Sequence, residues 1–396
     1  MSSAAQIAAT PLMDHLIART VRKRVPLSVH FDLTYRCNER CVHCYLDHED
    51  YGELSTQECL EVLRQLANTG AFFLTFSGGE IFLRKDLEEI LDAARRLRFD
   101  LSLKTNALLI TPERAAMLAQ YGVRRVQISI YSSEPVIHDA ITKVPGSLQR
   151  SLASIPLLKE CGIQVKLACP LMKQNLSAYR GVMALAEMLG VPYVLDLTIT
   201  PMMDGSHTPL EHRVSSDALL PVLQDSTLQS CGTKFMAESS DGAPLFGSAV
   251  TSSIESSAYD DLPCSAGHNS CYISPYGEVY ACVQLPVPAG NIRTQRFAEI
   301  WKHAPALERI RNVRESQLPV CASCEIRNYC ERCPGLAWME GGDLHGPYER
   351  ACSLAEQKAR VAGIASPVSA WHAKISSSTG MSPANHERAP KLRGAN

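Results

Sequence analysis

The sequence predicts an α/β fold, a partial (β/α)6 barrel followed by a small cysteine-rich α+β domain. Three observations predict it. Stretches rich in Val, Ile and Phe alternate with stretches of helical period through the first half of the chain, and the alternation dissolves after Thr200. Eight cysteines then crowd between Cys264 and Cys352. The chain has 396 residues, more than one core usually serves, so more than one domain is expected.

The elements follow in order. Strands are expected at Ser28–Thr34, Phe72–Ser77, Asp100–Thr105, Arg124–Tyr131, Gln164–Cys169 and Tyr193–Thr200, where β-branched and aromatic residues gather between turn signals. Helices are expected at Ser55–Asn68, Lys85–Leu97, Pro112–Gln120, Ser147–Lys159 and Leu176–Leu189, whose apolar positions return every three or four residues. Strict alternation implies parallel strands joined by right-handed crossovers, and such a sheet carries its chemistry at the carboxyl ends of its strands. An eight-stranded barrel is the competing reading. It needs two more strand–helix units, whereas Pro201–Leu262 is rich in Ser, Gly, Pro and Thr with one helical piece near Ala218–Leu223. The expected division is an N-terminal extension at 1–27, the barrel at 28–200, a bridging region at 201–262 and the cysteine-rich domain at 263–355. Residues 366–396 hold little to bury and are expected to be a disordered tail.

Composition excludes several classes of function. The hydrophobic fraction is 45% and the formal net charge −2, so no large single-sign field draws nucleic acid. The short basic run Arg19, Arg22, Lys23, Arg24 reads as a solvated face. No stretch approaches the roughly 20 apolar residues of a membrane span, and no secretion signal opens the chain. A cytoplasmic protein with neither nucleic-acid nor membrane partner is therefore expected. Fifteen cysteines in a reducing compartment point to metal ligation before disulfides.

Cys37, Cys41 and Cys44 form a C-x3-C-x2-C run directly after the first strand. Three thiolates grip three corners of a [4Fe–4S] cubane and leave one iron open, as a catalytic metal site requires. A zinc site completed by His43 or His48 is the alternative. The run, with the aromatic Tyr45 behind it, resembles the signature of the radical S-adenosylmethionine (SAM) superfamily. The resemblance implies that SAM chelates the open iron through its amino and carboxyl groups and that its reductive cleavage yields a 5′-deoxyadenosyl radical. Ser77-Gly78-Gly79-Glu80 ends the second strand and is similar to the family's motif for the SAM amino group, with Glu80 as acceptor; an ordinary turn is its plain reading. Asn106 and Ser129, at the ends of the third and fourth strands, stand where relatives contact the SAM ribose and carboxylate, although such groups also serve as local caps. Arg150 and Lys143 stand where a carboxylate-binding cation is found.

Farther on, Cys264, Cys271 and Cys282 precede Cys321-x2-Cys324-x5-Cys330-x2-Cys333 and Cys352. Eight thiolates are the complement of two fully ligated [4Fe–4S] clusters; paired C-x2-C motifs also suit a zinc ribbon. The stretch from Cys271 to Cys282 reads as a hairpin turning at Tyr276-Gly277, which brings its end cysteines near each other. The arrangement resembles the SPASM domain, the auxiliary-cluster extension of radical SAM maturases, with a two-residue gap between Cys330 and Cys333 where three is commoner. The resemblance assigns Cys264, Cys271, Cys282 and Cys333 to one cluster and Cys321, Cys324, Cys330 and Cys352 to the other, making three clusters in all.

Of the remaining cysteines, Cys59, Cys161 and Cys231 read as small buried hydrophobes. Cys169, at the end of the fifth strand, is a candidate hydrogen-atom donor, and Asp196, in the sixth, a candidate proton acceptor. The function these resemblances imply is oxidative modification of a ribosomally made peptide, by crosslinking or backbone excision. A small-molecule substrate such as a tetrapyrrole or sugar, or a folded protein as in sulfatase maturases, is the rival within catalysis; a non-catalytic iron–sulfur or zinc scaffold is the rival outside it. Only 27 residues precede the first strand, too few for the leader-binding module of about 80 residues found in many relatives. A separate leader-binding protein is therefore expected, as is an external electron donor of flavodoxin or ferredoxin type.

Overall fold

The computed structural model describes residues 11–230 and 261–364. The expected tail 366–396 and Cys231 lie outside them. Helix α1 (Pro11–Lys23) leads into β1 (Ser28–Thr34), and the barrel continues as α2 (Thr56–Asn68), β2 (Phe73–Gly78), α3 (Leu87–Arg96), β3 (Asp100–Thr105), α4 (Pro112–Gln120) and β4 (Val123–Ser129). Two helices, α5 (Pro135–Thr142) and α6 (Ser147–Glu160), precede β5 (Gln164–Pro170), and α7 (Tyr179–Leu189) precedes β6 (Tyr193–Asp196). Short helices α8 (Leu220–Leu223) and α9 (Ser226–Ser230) follow. The cysteine-rich part holds β7 (Ser270–Ile273), β8 (Glu278–Tyr280), β9 (Gly290–Asn291), α10 (Phe297–His303), α11 (Pro305–Arg311), α12 (Pro334–Gly341) and α13 (Glu349–Val361). No helix among the described residues is long and apolar enough to cross a membrane.

All six barrel strands are parallel, in the order β6-β5-β4-β3-β2-β1, and the sheet then continues without a break into β7-β8-β9. Strand β7 pairs in parallel with β1, Ser28 opposite Ser270 and Phe31 opposite Ile273. It also forms the expected hairpin with β8, Tyr272 opposite Tyr280. The cysteine-rich segment thus supplies the strand next to the first strand of the barrel.

Strand alternation divides the residues between two environments. Val29, Phe31 and Leu33 of β1 face the helices with Leu74, Phe76, Leu101, Leu103, Val126 and Ile128, each 1% exposed or less. Burial of each side chain contributes about 1.5–3 kcal/mol. The opposite positions line the lumen, and there the chain is polar: His30, Ser77, Lys104, Gln127, Ser129 and Lys166 face a cavity of about 550 Å³. A lumen of this character suits a polar ligand and not a packed apolar core.

Several buried polar groups in the wall bond to one another. Asp32 accepts from the Tyr272 hydroxyl at 2.9 Å and lies 2.9 Å from His30 Nε2, while the Tyr35 and Tyr272 hydroxyls share a 2.6 Å hydrogen bond. This network ties β7 to β1 from the inside.

Candidate active site and cysteine clusters

The loop after β1 carries Cys37, Cys41 and Cys44, and its entry is fixed by Glu53, which accepts from the Thr34 hydroxyl, the Tyr35 N–H at 2.9 Å and the Arg36 guanidinium at 3.1 Å. Gly78 and Gly79 hold the other side. The Gly79 N–H donates to Thr34 O at 2.8 Å and the Glu80 N–H to Arg36 O at 2.9 Å. A Cβ at Gly78 would lie 2.1 Å from Thr34 O, and one at Gly79 2.3 Å from Arg36 O. What approaches the two glycines closely is therefore the cysteine loop's own backbone, in addition to the cavity that both of them line.

Glu80 has a different position from the one its motif suggests. It is fully buried, and its carboxylate accepts from the Thr105 hydroxyl at 2.8 and 2.9 Å, the Asn106 N–H at 3.0 Å and the Phe82 N–H at 3.1 Å. It fixes the ends of β2 and β3 against each other. Asn106 does reach the cysteine loop: its amide donates to Asn38 Oδ1 at 2.7 Å and lies 3.9 Å from Cys37 Sγ. Ser129 lines the same cavity. Arg150 is exposed, its Nε on Gly146 O at 3.4 Å, outside the cavity wall. Lys143 is exposed as well, in a left-handed conformation at φ 62°.

Asp196 lies in the cavity wall, and burial pushes its carboxyl above the usual range while the Thr198 N–H donates to it at 2.8 Å. Cys169 does not face the cavity. Ala168 and Pro170 line it, so alternation turns Cys169 into the core, where it is fully buried 3.6 Å from Tyr131 O and 3.7 Å from the Asn175 amide. A donor of hydrogen atoms to substrate must reach the substrate, and this thiol does not.

Residues that the motifs do not announce complete the site. The Tyr131 hydroxyl donates to Cys41 Sγ at 3.7 Å, and Cys41 in turn lies 3.3 Å from Glu39 Oε2. Burial raises the Glu39 carboxyl to about 7, and its Oε1 is buried without a hydrogen-bond partner among the described residues, as is His43 Nδ1. Tyr131 was within reach of sequence reasoning, since it is two residues beyond Ser129 and shares its face. Helix α5 was not: it holds the loop through Arg40 N–H to Thr142 O at 3.1 Å and Val42 N–H to Ile141 O at 3.0 Å.

Cys37, Cys41 and Cys44 line one cavity and are electrostatic neighbours, a donor set whose chemistry suits three corners of an iron–sulfur cluster. Burial raises Cys37 to about 12 and Cys44 to about 11, so free thiolates are unfavourable there and iron supplies the compensating charge. The C-terminal cysteines form two further groups. Cys321, Cys324, Cys330 and Cys352 are mutual electrostatic neighbours. Cys264, Cys282 and Cys333 are likewise neighbours of one another, and all three line the cavity that Cys37, Cys41 and Cys44 line.

Cys271 stands apart from the group to which the resemblance assigns it. It touches the cavity wall, but it shares the helix-facing side of the sheet with Val29, its partner in register; it is 4% exposed in the apolar core, and its charged neighbour is Arg311. One residue of strand parity separates it from the lumen-facing Tyr272. Replacing Cys271 with Ala is expected to leave iron content unchanged, whereas Cys282→Ala removes about four irons; equal iron loss in the two variants would restore Cys271 as a ligand.

Comparison with known proteins bears on this arrangement. The radical SAM superfamily matches residues 31–186, and an iron–sulfur cluster-binding SPASM domain matches residues 264–325. The AdoMet-dependent heme synthase of Methanosarcina barkeri is 30% identical over 330 residues, 80% of this chain and 94% of that one. The chain belongs to the radical SAM superfamily. The mycofactocin maturase MftC of Mycolicibacterium smegmatis is also 30% identical, over 340 residues and 81% of each chain. Among solved structures, Streptococcus suis SuiB bound to its precursor peptide SuiA matches with a TM-score of 0.64 at 16% identity, covering 86% of this chain and 79% of that one, a likeness of fold. As a radical SAM enzyme with a SPASM domain, the chain works with iron–sulfur clusters and SAM.

Proposed function

We propose that this radical SAM enzyme oxidatively modifies a ribosomally synthesised peptide, by crosslinking side chains or excising a backbone fragment. The observation that carries the reading is the single cavity lined at once by Cys37, Cys41 and Cys44 and by Cys264, Cys282 and Cys333. A substrate held there meets two redox sites, which suits a reaction that removes a hydrogen atom and then a further electron. When bound, SAM and the first cluster supply a 5′-deoxyadenosyl radical, and the auxiliary clusters supply an electron acceptor.

In this reading three clusters are held by Cys37, Cys41 and Cys44; by Cys264, Cys282 and Cys333; and by Cys321, Cys324, Cys330 and Cys352. The backbone at Gly78 and Gly79 and the side chains of Asn106 and Ser129 receive SAM. Asp196 is the proton acceptor, because burial strengthens its carboxylate as a base and its position in the cavity wall puts it beside the substrate. A separate leader-binding protein and a flavodoxin or ferredoxin belong to the same reading. The relatedness to a mycofactocin maturase over most of both chains supports the peptide class.

A tetrapyrrole or other small molecule is the second reading, favoured by the equal identity to a heme synthase over nearly all of that protein's length. Reduced enzyme supplied with SAM and a precursor peptide encoded beside its gene is expected to change the peptide's mass. An unchanged peptide together with conversion of a tetrapyrrole would establish the second reading. Titration of the labelled peptide against enzyme alone, then with a neighbouring leader-binding protein, is expected to show tight binding only in the second case.

A further inference from the structure

Arg332 lies between Cys330 and Cys333, residues of the two different auxiliary groups, and its side chain has been built into the protein with one nitrogen left over. Its Nε donates to Gly346 O at 2.9 Å, and its Nη2 to Gly346 O at 2.8 Å and to Leu344 O. Its Nη1 is buried and has no acceptor among the described residues. The cations around it are neutralised, Arg327 by Glu315 and Lys358 by Glu331 at 2.8 Å, whereas no carboxylate among the described residues pairs with Arg332. A buried guanidinium nitrogen without an acceptor is costly unless an anion faces it.

The thiols show which anions those are. Arg332 is an electrostatic neighbour of Cys264, Cys321, Cys330 and Cys333 alike. Cys264 and Cys333 belong to one group, and Cys321 and Cys330 to the other. Iron–sulfur clusters with thiolate ligands are net anions whose potentials follow local charge and hydrogen bonds to sulfur.

We propose that Arg332 is a shared positioning residue of the two auxiliary clusters, donating from Nη1 to a cluster sulfur and raising the reduction potential of both. The inference rests on the reading that both groups hold iron–sulfur clusters. A fixed positive charge favours the more negative, reduced form of each cluster, so the pair accepts electrons at a potential that neither would have alone. The three donor hydrogen bonds to Gly346 and Leu344 keep the guanidinium from turning away.

The test uses protein carrying Cys37→Ala, Cys41→Ala and Cys44→Ala, in which the auxiliary clusters alone give a paramagnetic signal on reduction. A redox titration followed by electron paramagnetic resonance compares this protein with versions also carrying Arg332→Gln or Arg332→Lys. With glutamine, both auxiliary signals are expected to need a more negative potential; a tenfold fall in the reduced-to-oxidised ratio at fixed potential corresponds to about 59 mV for one electron. Lysine keeps the charge but loses the fork, and a smaller shift of the same sign is expected. Unshifted potentials in iron-replete protein would overturn the role of Arg332, while absence of two auxiliary signals in the parent would overturn the cluster assignment beneath it. If the glutamine variant fails to load iron, the lysine variant decides: the smaller shift supports the proposal and identical potentials refute it.

Discussion

Alanine at Cys37, Cys41 and Cys44 together is expected to abolish SAM cleavage entirely while leaving the C-terminal cysteines loaded with iron. These three thiols lie on one loop, and neither remaining buried cysteine of the barrel core replaces them: Cys169 is turned into the core and Cys59 is fully buried between helix α2 and the sheet. Iron is expected to fall by about four atoms from a total of about twelve, and release of 5′-deoxyadenosine from reduced enzyme to fall to the level of a protein-free control. The loop's backbone is held by hydrogen bonds to Glu53, Gly79, Glu80 and helix α5 that involve no thiol, so the variant should remain folded. Residual cleavage would mean that the radical is generated elsewhere. Loss of all iron would mean that the sites assemble as one unit.

The second large effect is expected from Cys352→Ala. Cys352 is carried on α13 and closes the group formed with Cys321, Cys324 and Cys330. None of these four thiols lines the barrel cavity. SAM cleavage, which depends on the barrel site, should continue in the variant, while modified product should vanish, because the electron leaving the substrate has no onward acceptor. The informative measurement is the ratio of 5′-deoxyadenosine to product, which should rise without limit. Normal product yield would make this group a structural staple between α13 and the preceding loop.

Much of the barrel was legible in the sequence because its strands are long, apolar on one face and separated by amphipathic helices. Strands β1 and β3 and helix α4 begin and end where the pattern places them. The last strand is shorter than its apolar run: after Asp196 the chain turns, with the Asp196 carboxylate taking the Thr198 N–H. Helix α1 went unread although Ile17 and Val21 pack one face of it, because its basic residues read as a solvated surface. The parallel pairing of β7 with β1 was not legible either. It joins residues some 240 positions apart through a four-residue strand, and a segment that short carries no local mark of a distant partner.

Site residues divide along the same line. Spacing marked the cysteines as ligands, since ligand spacing is a local property, whereas their division between clusters came only from the family resemblance. Facing was harder, because one residue of parity turns Cys169 from the cavity into the core, and the strand register that sets parity is a property of the whole sheet. Glu80 illustrates a third case. Its motif suggests an acceptor for a ligand, but the fold shows a carboxylate occupied by Thr105, Asn106 and Phe82.

The insertion of β7 beside β1 also constrains how the protein comes into being. During synthesis β1 emerges early, and until residue 270 follows it has a bare edge and an Asp32 carboxylate that lacks the hydroxyl of Tyr272. A pairing of such high contact order is slow to form, and exposed edges in the interval invite association between chains. Strand β7 is the first arm of the hairpin that ends near Cys282, so the same chain segment covers the edge of β1 and positions an auxiliary cysteine. Completion of the barrel edge therefore waits on synthesis of the cysteine-rich segment, and until that segment is made the catalytic half of the chain is itself unfinished.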